Sequence, residues 1–279
     1  FDVEGNSMSL LFGDSFKGQT DLTGKNYAFF GLFKSNTNLV NTENLSLPAT
    51  TLASNCYQSM FNGCTSLTIA PELPATTLAR YCYQYMFTDC KSLITAPQLP
   101  AITLTQDCYS YMFQGCTSLT TAPQLPATTL TSNCYTNMFN GCTNLTTAPQ
   151  LPATTLTTNC YQYMFQNCRN LTTAPELPAT TLANYCYSRM FNGCTSLTTA
   201  PQLSATTLAS GSYNYMFQGC RSLNYIKAMF TTTPSSSYTN NWVSGVATSG
   251  TFVKNSAATW DVSGVNGVPS GWTVETASA

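Results

Sequence analysis

The chain contains no histidine and few charged residues. The absence of His removes the commonest general base and the commonest metal ligand. Asp, Glu, Lys and Arg together make up 8% of the 279 residues, against roughly 25% in an ordinary globular domain. Because there are only 10 Lys and Arg and the formal net charge is -1, the basic surface of a nucleic-acid-binding protein is missing. We therefore expect no nucleic-acid partner.

Long apolar runs are also lacking, since none approaches the roughly 20 residues that span a bilayer. We expect no transmembrane segment in this chain. The sequence starts at Phe1 without a leader pattern, and we expect it to be a mature or trimmed segment. Apolar residues nevertheless make up 43% of the chain, so a sizeable core can be buried and Thr, Ser, Asn, Gln and Tyr must cover the surface.

What the chain has instead is a repeat. The 26-residue unit LPATTLASNCYQSMFNGCTSLTIAPE at 47–72 returns in register six more times, and the copies begin at residues 73, 99, 125, 151, 177 and 203. Such periodicity indicates units that stack on one another, because one unit cannot bury its own apolar side chains. We expect three parts: an N-terminal cap with a degenerate repeat (1–46), seven repeats (47–228) and a β-rich C-terminal cap (229–279).

Within one unit, apolar residues fall at i, i+1, i+4, i+5 and i+8 from Cys56. This spacing predicts a short amphipathic helix over 54–62, with Gly63 or its equivalent in a left-handed conformation at the helix end. Leu67, Ala70 and Leu73 predict a short parallel strand. Its length should be only about three residues, because the proline at 71 recurs and cannot donate to a ladder. In the tail, Gly250–Val253 and Gly271–Val274 also look like strands.

The core Met-Phe-x-x-Cys-x-x-Leu, which reads MFNGCTSL, MFTDCKSL or MFQGCTSL in successive copies, resembles the BspA-family leucine-rich-repeat surface proteins of bacteria. The resemblance covers 47–228 fully and 29–46 weakly. The amino-acid pattern of the repeats is similar to that in proteins of gut Bacteroidetes. It implies an α/β fold, a right-handed solenoid with short parallel strands on one face and short helices on the other. It also implies export to the bacterial surface or outside the cell, and adhesive roles.

The 13 cysteines are an odd number, so one thiol at least has no partner within the chain. Cys-x7-Cys is not a zinc spacing. A Cys56–Cys64 bond would span about 10 Å along a helix, and a Cys64–Cys90 bond would join stacked positions about 4.8 Å apart; both are poor disulfide geometries. We expect two columns of buried thiols, with a Cys56–Cys64 type of bond as the main alternative.

No catalytic constellation is apparent, and we expect neither enzyme activity nor a metal or cofactor. Glu72 and Glu176 occupy one repeat position but lie four repeats apart, so roughly 20 Å separates them. Paired glycosidase carboxylates need about 5–9.5 Å. Serines abound, but no histidine or lysine cluster is present to activate one.

Two surfaces could bind a partner. The first is the strand face, where we expect exposed Thr, Glu and Gln side chains. Its candidate residues are Thr68, Glu72, Thr95, Gln98, Thr121, Gln124, Thr147, Gln150, Thr173, Glu176, Thr199 and Gln202. The second carries tyrosines that we expect to be exposed, namely Tyr85, Tyr111, Tyr163 and Tyr215. The other tyrosine column, which starts at Tyr57, belongs to the predicted core.

Three functions fit these features. The first is a monomeric adhesin-like protein that binds a host extracellular-matrix protein, another bacterial surface protein or a glycan. The second is a passive structural stalk on the cell surface, which the small differences between adjacent repeats favour. The third is an ice-binding array of threonines, indicated by the regular Thr-Thr pairs alone.

Overall fold

The structure, a computed structural model, describes residues 1–277. Regular elements are few and short. In chain order they are β1 (Gly5–Asn6), α1 (Ser9–Phe12), a 3-10 helix (Gly13–Phe16), β2 (Leu45–Ser46), β3 (Tyr225–Ala228), β4 (Thr251–Lys254) and β5 (Thr273–Thr276). β1 pairs with β2, and β3, β4 and β5 form a three-stranded sheet, with every pairing parallel.

The repeats stack side by side through parallel single-residue bridges. One series of bridges joins the strand segments (residues 67–72 and their equivalents), as in Ile69 with Thr95 and Thr95 with Thr121. A second joins the return segments (residues 73–78 and their equivalents), as in Thr51 with Thr77. The predicted parallel pairing is confirmed, but the ladder is narrower than three residues. The recurring proline explains part of this narrowness, because it supplies no amide hydrogen at 71.

The predicted helix over 54–62 is wrong. This stretch belongs to a run of overlapping turns, which we call the turn segment (residues 53–64 and their equivalents). The amides at 56, 58, 60, 62 and 64 donate to carbonyls three residues earlier in the same repeat, over 3.0–3.3 Å. The amides at 55, 57, 59, 61 and 63 instead donate to the next repeat, at carbonyls 80, 82, 84, 86 and 88, over 2.8–3.1 Å.

A left-handed residue at every fourth position prevents the α-helix. In the first repeat these residues are Asn55 (φ 60°), Ser59 (φ 56°) and Gly63 (φ 76°). A non-glycine residue in this conformation costs on the order of 1–3 kcal/mol, and each repeat offsets this cost by hydrogen bonding every amide from 55 to 64 or their equivalents. The predicted left-handed residue at Gly63 is confirmed, but it closes the last of a series of turns and not a helix.

The core is a set of columns that run through the stack. The inner phenylalanines, such as Phe87, Phe113 and Phe139, have ring centroids 5.6–5.7 Å apart and interplanar angles of 2–5°. Tyrosines that begin at Tyr57 are buried, as predicted, and their rings form a second stacked column. The methionines that precede the phenylalanines are completely buried. The columns run from one end of the stack to the other, so every internal repeat packs against a neighbouring repeat on each side.

The predicted C-terminal cap continues the same backbone pattern before it ends. Trp242 occupies the position of the methionines, and its carbonyl accepts the Phe217 amide at 2.8 Å. β4 and β5 lie where the tail strands were predicted, and the Trp272 indole donates to the Ala247 carbonyl at 2.8 Å. The tail therefore extends the stack of repeats.

The predicted N-terminal cap leaves one edge open. Residues 27–35 form a turn segment, and the Phe33 amide donates to the Met60 carbonyl at 2.9 Å. Within residues 1–277, no backbone amide donates to the carbonyls of Ala28, Phe30 or Leu32. Leu32 is 44% exposed, whereas the methionines at the equivalent positions are fully buried. The handedness of the coil and the capping role of the two ends stay predictions.

Candidate functional site

The strand face presents most of the predicted partner-binding side chains to solvent. Its exposed threonines are Thr95, Thr121, Thr147, Thr173 and Thr199. The acidic and amide residues beside them are exposed as well, namely Glu72, Gln98, Gln124, Gln150, Glu176 and Gln202. Parallel bridges join Thr95 to Thr121 and Thr147 to Thr173, so the backbones of these neighbours keep a fixed spacing. The result is an ordered polar surface.

Thr68 does not belong to this row. The bridge partner of Thr95 is Ile69, so Ile69 continues the column in the first repeat. Thr68 is half-buried, and its hydroxyl donates to the Val40 carbonyl at 3.0 Å. The hydroxyl hydrogen of Thr68 is therefore already bonded within the protein and cannot be donated to a partner.

An apolar groove interrupts the polar face at its N-terminal part. Ile69 is 43% exposed and Ile94 is 52% exposed, at positions where most other repeats carry threonine. With Thr95, Pro97 and their neighbours they line an open groove of about 490 Å³ that Glu72 borders. Sequence reasoning placed this groove within a threonine face and missed the two isoleucines as its distinguishing feature.

A second threonine surface was missed because the return segment was treated only as a connection. Thr76 and Thr77 are exposed, and the same holds for the equivalent pairs in the following repeats, with Ile102 replacing the first threonine once. Ile102 is 63% exposed. The signal was present in the sequence, since LPATTL repeats its Thr-Thr pair as regularly as the strand segment does.

The tyrosines predicted to be exposed are half-buried. Tyr85 and Tyr111 stack on each other with ring centroids 4.6 Å apart. The Arg189 guanidinium lies 4.2 Å from the centroid of the Tyr215 ring and 5.5 Å from that of Tyr163. Neighbouring side chains thus cover ring faces that a partner would need for stacking.

The cysteines form the predicted buried columns, and all 13 thiols are free in the structure. Cys90 donates its S–H to the Phe61 carbonyl at 3.1 Å, and this contact recurs along the stack. Burial raises the pKa of the Cys108 thiol to about 12, and it raises the pKa of Cys64, nearer the end of the stack, to about 11. A thiol with such a pKa holds its proton at neutral pH and is a poor nucleophile.

The structure keeps the two repeat carboxylates far apart. Glu72 and Glu176 lie four repeats from each other, and successive phenylalanine rings between them are 5.4–5.7 Å apart. Their separation therefore exceeds by far the distance at which two carboxyl groups act on one bond. In the described part of the chain, no three His, Cys, Asp or Glu residues are grouped so that they could hold a metal ion. Nor does any helix within residues 1–277 combine the length and apolar character that crossing a bilayer requires.

These features define a repeat protein with a solenoid-like fold, an internally stacked core and ordered polar surfaces. The family model of the BspA type leucine-rich repeat region, with six copies, matches residues 32–172 and again 107–244. Because these matches span well over half of the sequence, the chain belongs to the BspA-type leucine-rich-repeat family, and the resemblance is confirmed. No curated protein and no solved structure gives a match. Repeats of this family generally serve protein interaction at surfaces and are not enzymes.

Proposed function

We propose that this chain is a non-enzymatic protein of the bacterial surface or the extracellular space that binds a protein or glycan partner through its strand face. The groove around Ile69 and Ile94 carries the proposal. Exposed apolar side chains are unusual on this surface, and each of the two isoleucines stands at a position where five of the other six repeats carry threonine. A patch of this kind beside polar groups is typical of interaction sites.

The geometry favours a macromolecular partner. The groove is open and shallow, so it would enclose little of a small molecule but could receive an apolar side chain of a larger one. Glu72 at its border supplies a negative charge, and the threonine row extends the contact surface along the stack. Host extracellular-matrix proteins, surface proteins of other bacteria and glycans are the proposed partner classes, with the chain acting as a monomer.

A direct test is a binding screen of the purified chain against arrayed extracellular-matrix proteins and mucin glycans. Any ligand found is then measured against the double variant Ile69→Thr/Ile94→Thr, which installs the residue common at both positions. We expect at least a tenfold loss of affinity without a change in stability. The matched control is Ile102→Thr, which removes an even more exposed isoleucine from the return segment and should leave binding intact.

A passive stalk is the second candidate, because adjacent repeats differ so little. A screen without any ligand would favour the stalk over partner binding. Equal losses of affinity in the double variant and in the control would place the binding site elsewhere.

The ice-binding hypothesis rests on the two threonine rows. An assay of ice growth in the presence of the purified chain tests it independently.

A further inference from the structure

The turn face, formed by the exposed sides of the turn segments and of the residue that follows each of them, carries a groove that the proposed function does not use. It is the open groove of about 710 Å³ that spans the fifth to seventh repeats. Arg169 and Arg221 lie at its two ends, and Asn167, Asn192, Thr195 and Gln218 complete its polar lining. Among the described residues that line it, none is Asp or Glu.

The two arginines replace threonine at one repeat position. Thr65, Thr117, Thr143 and Thr195 occupy that position in four other repeats. Arg169 and Arg221 are both exposed and lie two repeats apart. Each of those steps is 5.8 Å between the stacked rings of Phe165, Phe191 and Phe217. In a chain with so few charges, two exposed arginines two repeats apart form a distinct cationic surface.

Hydrogen bonding fixes the polar lining and leaves part of its capacity unused. The Asn192 amide group donates to Gln218 Oε1 at 2.8 Å, and Asn192 Oδ1 accepts from Gln166 at 3.2 Å. Each carboxamide has two donor hydrogens and two acceptor lone pairs, so these bonds leave donors and acceptors for a ligand. The Thr195 hydroxyl donates to the Arg169 carbonyl at 3.2 Å, which ties the backbone of the two repeats together.

The second and third repeats provide an internal comparison. Lys91 stands where Arg169 does, but Asp89 stands where Asn167 does. In both places this side chain lies across the left-handed glycine of the next repeat, since a Cβ on Gly193 would lie 2.5 Å from Asn167 Oδ1 and one on Gly115 would collide with Asp89 Oδ1. The earlier surface therefore places a carboxylate where the later one has a neutral amide. Only the later surface is suited to an anion.

We propose that the groove between Arg169 and Arg221 binds an acidic glycan, with sulfate or carboxylate groups on the two guanidinium groups and sugar hydroxyls on the carboxamides. Arginine forms paired hydrogen bonds with such oxyanions. A sugar chain fits the lining better than a nucleic acid does, because the groove has no aromatic side chain on which a base could stack. This site lies on other residues than the strand face, so it stands or falls independently of the proposed function.

The test measures binding of the full chain to a size-defined heparin oligosaccharide, to hyaluronan and to neutral dextran. We expect salt-sensitive binding to heparin, hyaluronan or both, and none to dextran. Heparin carries sulfate and carboxylate groups, whereas hyaluronan carries carboxylate alone. Binding to hyaluronan would show that carboxylate is sufficient, and binding to heparin alone would show that sulfate is required. Arg169→Thr/Arg221→Thr restores the residue of the other repeats and should weaken binding at least tenfold. Asn167→Asp copies the earlier surface and should weaken it severalfold.

The matched controls are Lys91→Thr and Asp89→Asn, which change the same positions of the earlier surface and should leave binding unchanged. The strand-face variant Ile69→Thr/Ile94→Thr should also bind normally. The proposal is wrong if the acidic glycans do not bind, or if Lys91→Thr weakens binding as much as the double arginine variant does. It is also wrong if poly-glutamate or single-stranded DNA binds as tightly through the same two arginines, because the surface would then attract anions of any kind.

Discussion

The turn segments and the strand segments of this protein contact neighbouring repeats in different ways. A turn segment divides its amides between its own repeat and the next. It places two cysteines (one in the last repeat), an aromatic pair and a methionine in the core. A strand segment contributes single-residue bridges and exposes its threonines. The comparison indicates that cohesion lies mainly in the turn segments, whereas the strand segments are free to vary their surface side chains.

Alkaline pH should affect the turn segments most strongly. The pKa of Cys108 is raised by burial from 9.0 to about 12, so between these values the unfolded chain releases a proton that the folded chain keeps. Stability is therefore fully present below pH 9 and is lost as the pH rises toward 12, by about 1.4 kcal/mol per pH unit for each such thiol. With 13 buried thiols, we expect the chain to unfold before pH 11.

Denaturant unfolding followed by tryptophan fluorescence at pH 7 to 11 measures this dependence. The chain has no histidine, so the unfolding midpoint should stay level between pH 6 and 8. An unchanged midpoint at pH 10.5 would show that the thiols are not buried in the folded chain.

Phe113→Ala should cost about 3–5 kcal/mol of unfolding free energy. The side chain is fully buried between the rings of Phe87 and Phe139, and its removal leaves a gap in a column that cannot close without moving the neighbouring repeats. Chemical denaturation gives the value. A loss below 1 kcal/mol would mean that the phenylalanine column contributes little cohesion.

Substitutions at Ser59 distinguish a turn from a helix. A left-handed turn residue makes the glycine variant the more stable one, whereas a helix makes the alanine variant the more stable one. Ser59 has φ 56°, so Ser59→Gly should be more stable than Ser59→Ala by about 1 kcal/mol. In an α-helix the alanine variant would be the more stable one by about the same amount. Thermal unfolding of the two variants side by side decides between them.

The strand segment should show the smallest effect. Thr121→Ala changes an exposed side chain and leaves the backbone bridge with Thr95 intact, so we expect a change within about 0.5 kcal/mol. The same denaturation assay as for Phe113→Ala makes the two variants directly comparable. A loss similar to that of the core variant would remove the distinction between the two regions.

The sequence was sufficient to predict stacking, parallel pairing and the buried columns, because a 26-residue period fixes which side chains meet. It did not predict the turn segment correctly. Cys56, Tyr57, Met60, Phe61 and Cys64 follow a period of four, and we interpreted this as the 3.6-residue period of a helix. The residues that exclude a helix, Ser59 and Gly63, lie between these apolar positions and have left-handed backbones.

The candidate site was predicted only in part for a similar reason. The exposure of the Gln and Glu row followed from its polarity, but the alignment of Thr68 with Thr95 was one residue out of register. The half-burial of Tyr85 and Tyr111 could not be predicted from one repeat, because each ring is covered by the ring of its neighbour. Contacts between repeats thus determine what a single unit leaves open.

The hydrogen bond of the Phe113 amide tests the account most directly. NMR couplings transmitted across hydrogen bonds identify the carbonyl that each amide meets, in deuterated and isotope-labelled protein. We predict a coupling from the Phe113 nitrogen to the carbonyl carbon of Met138 in the next repeat, whose oxygen lies 2.9 Å away. A coupling to the carbonyl of Tyr109, four residues earlier, would show an α-helix and contradict the stacked-turn architecture.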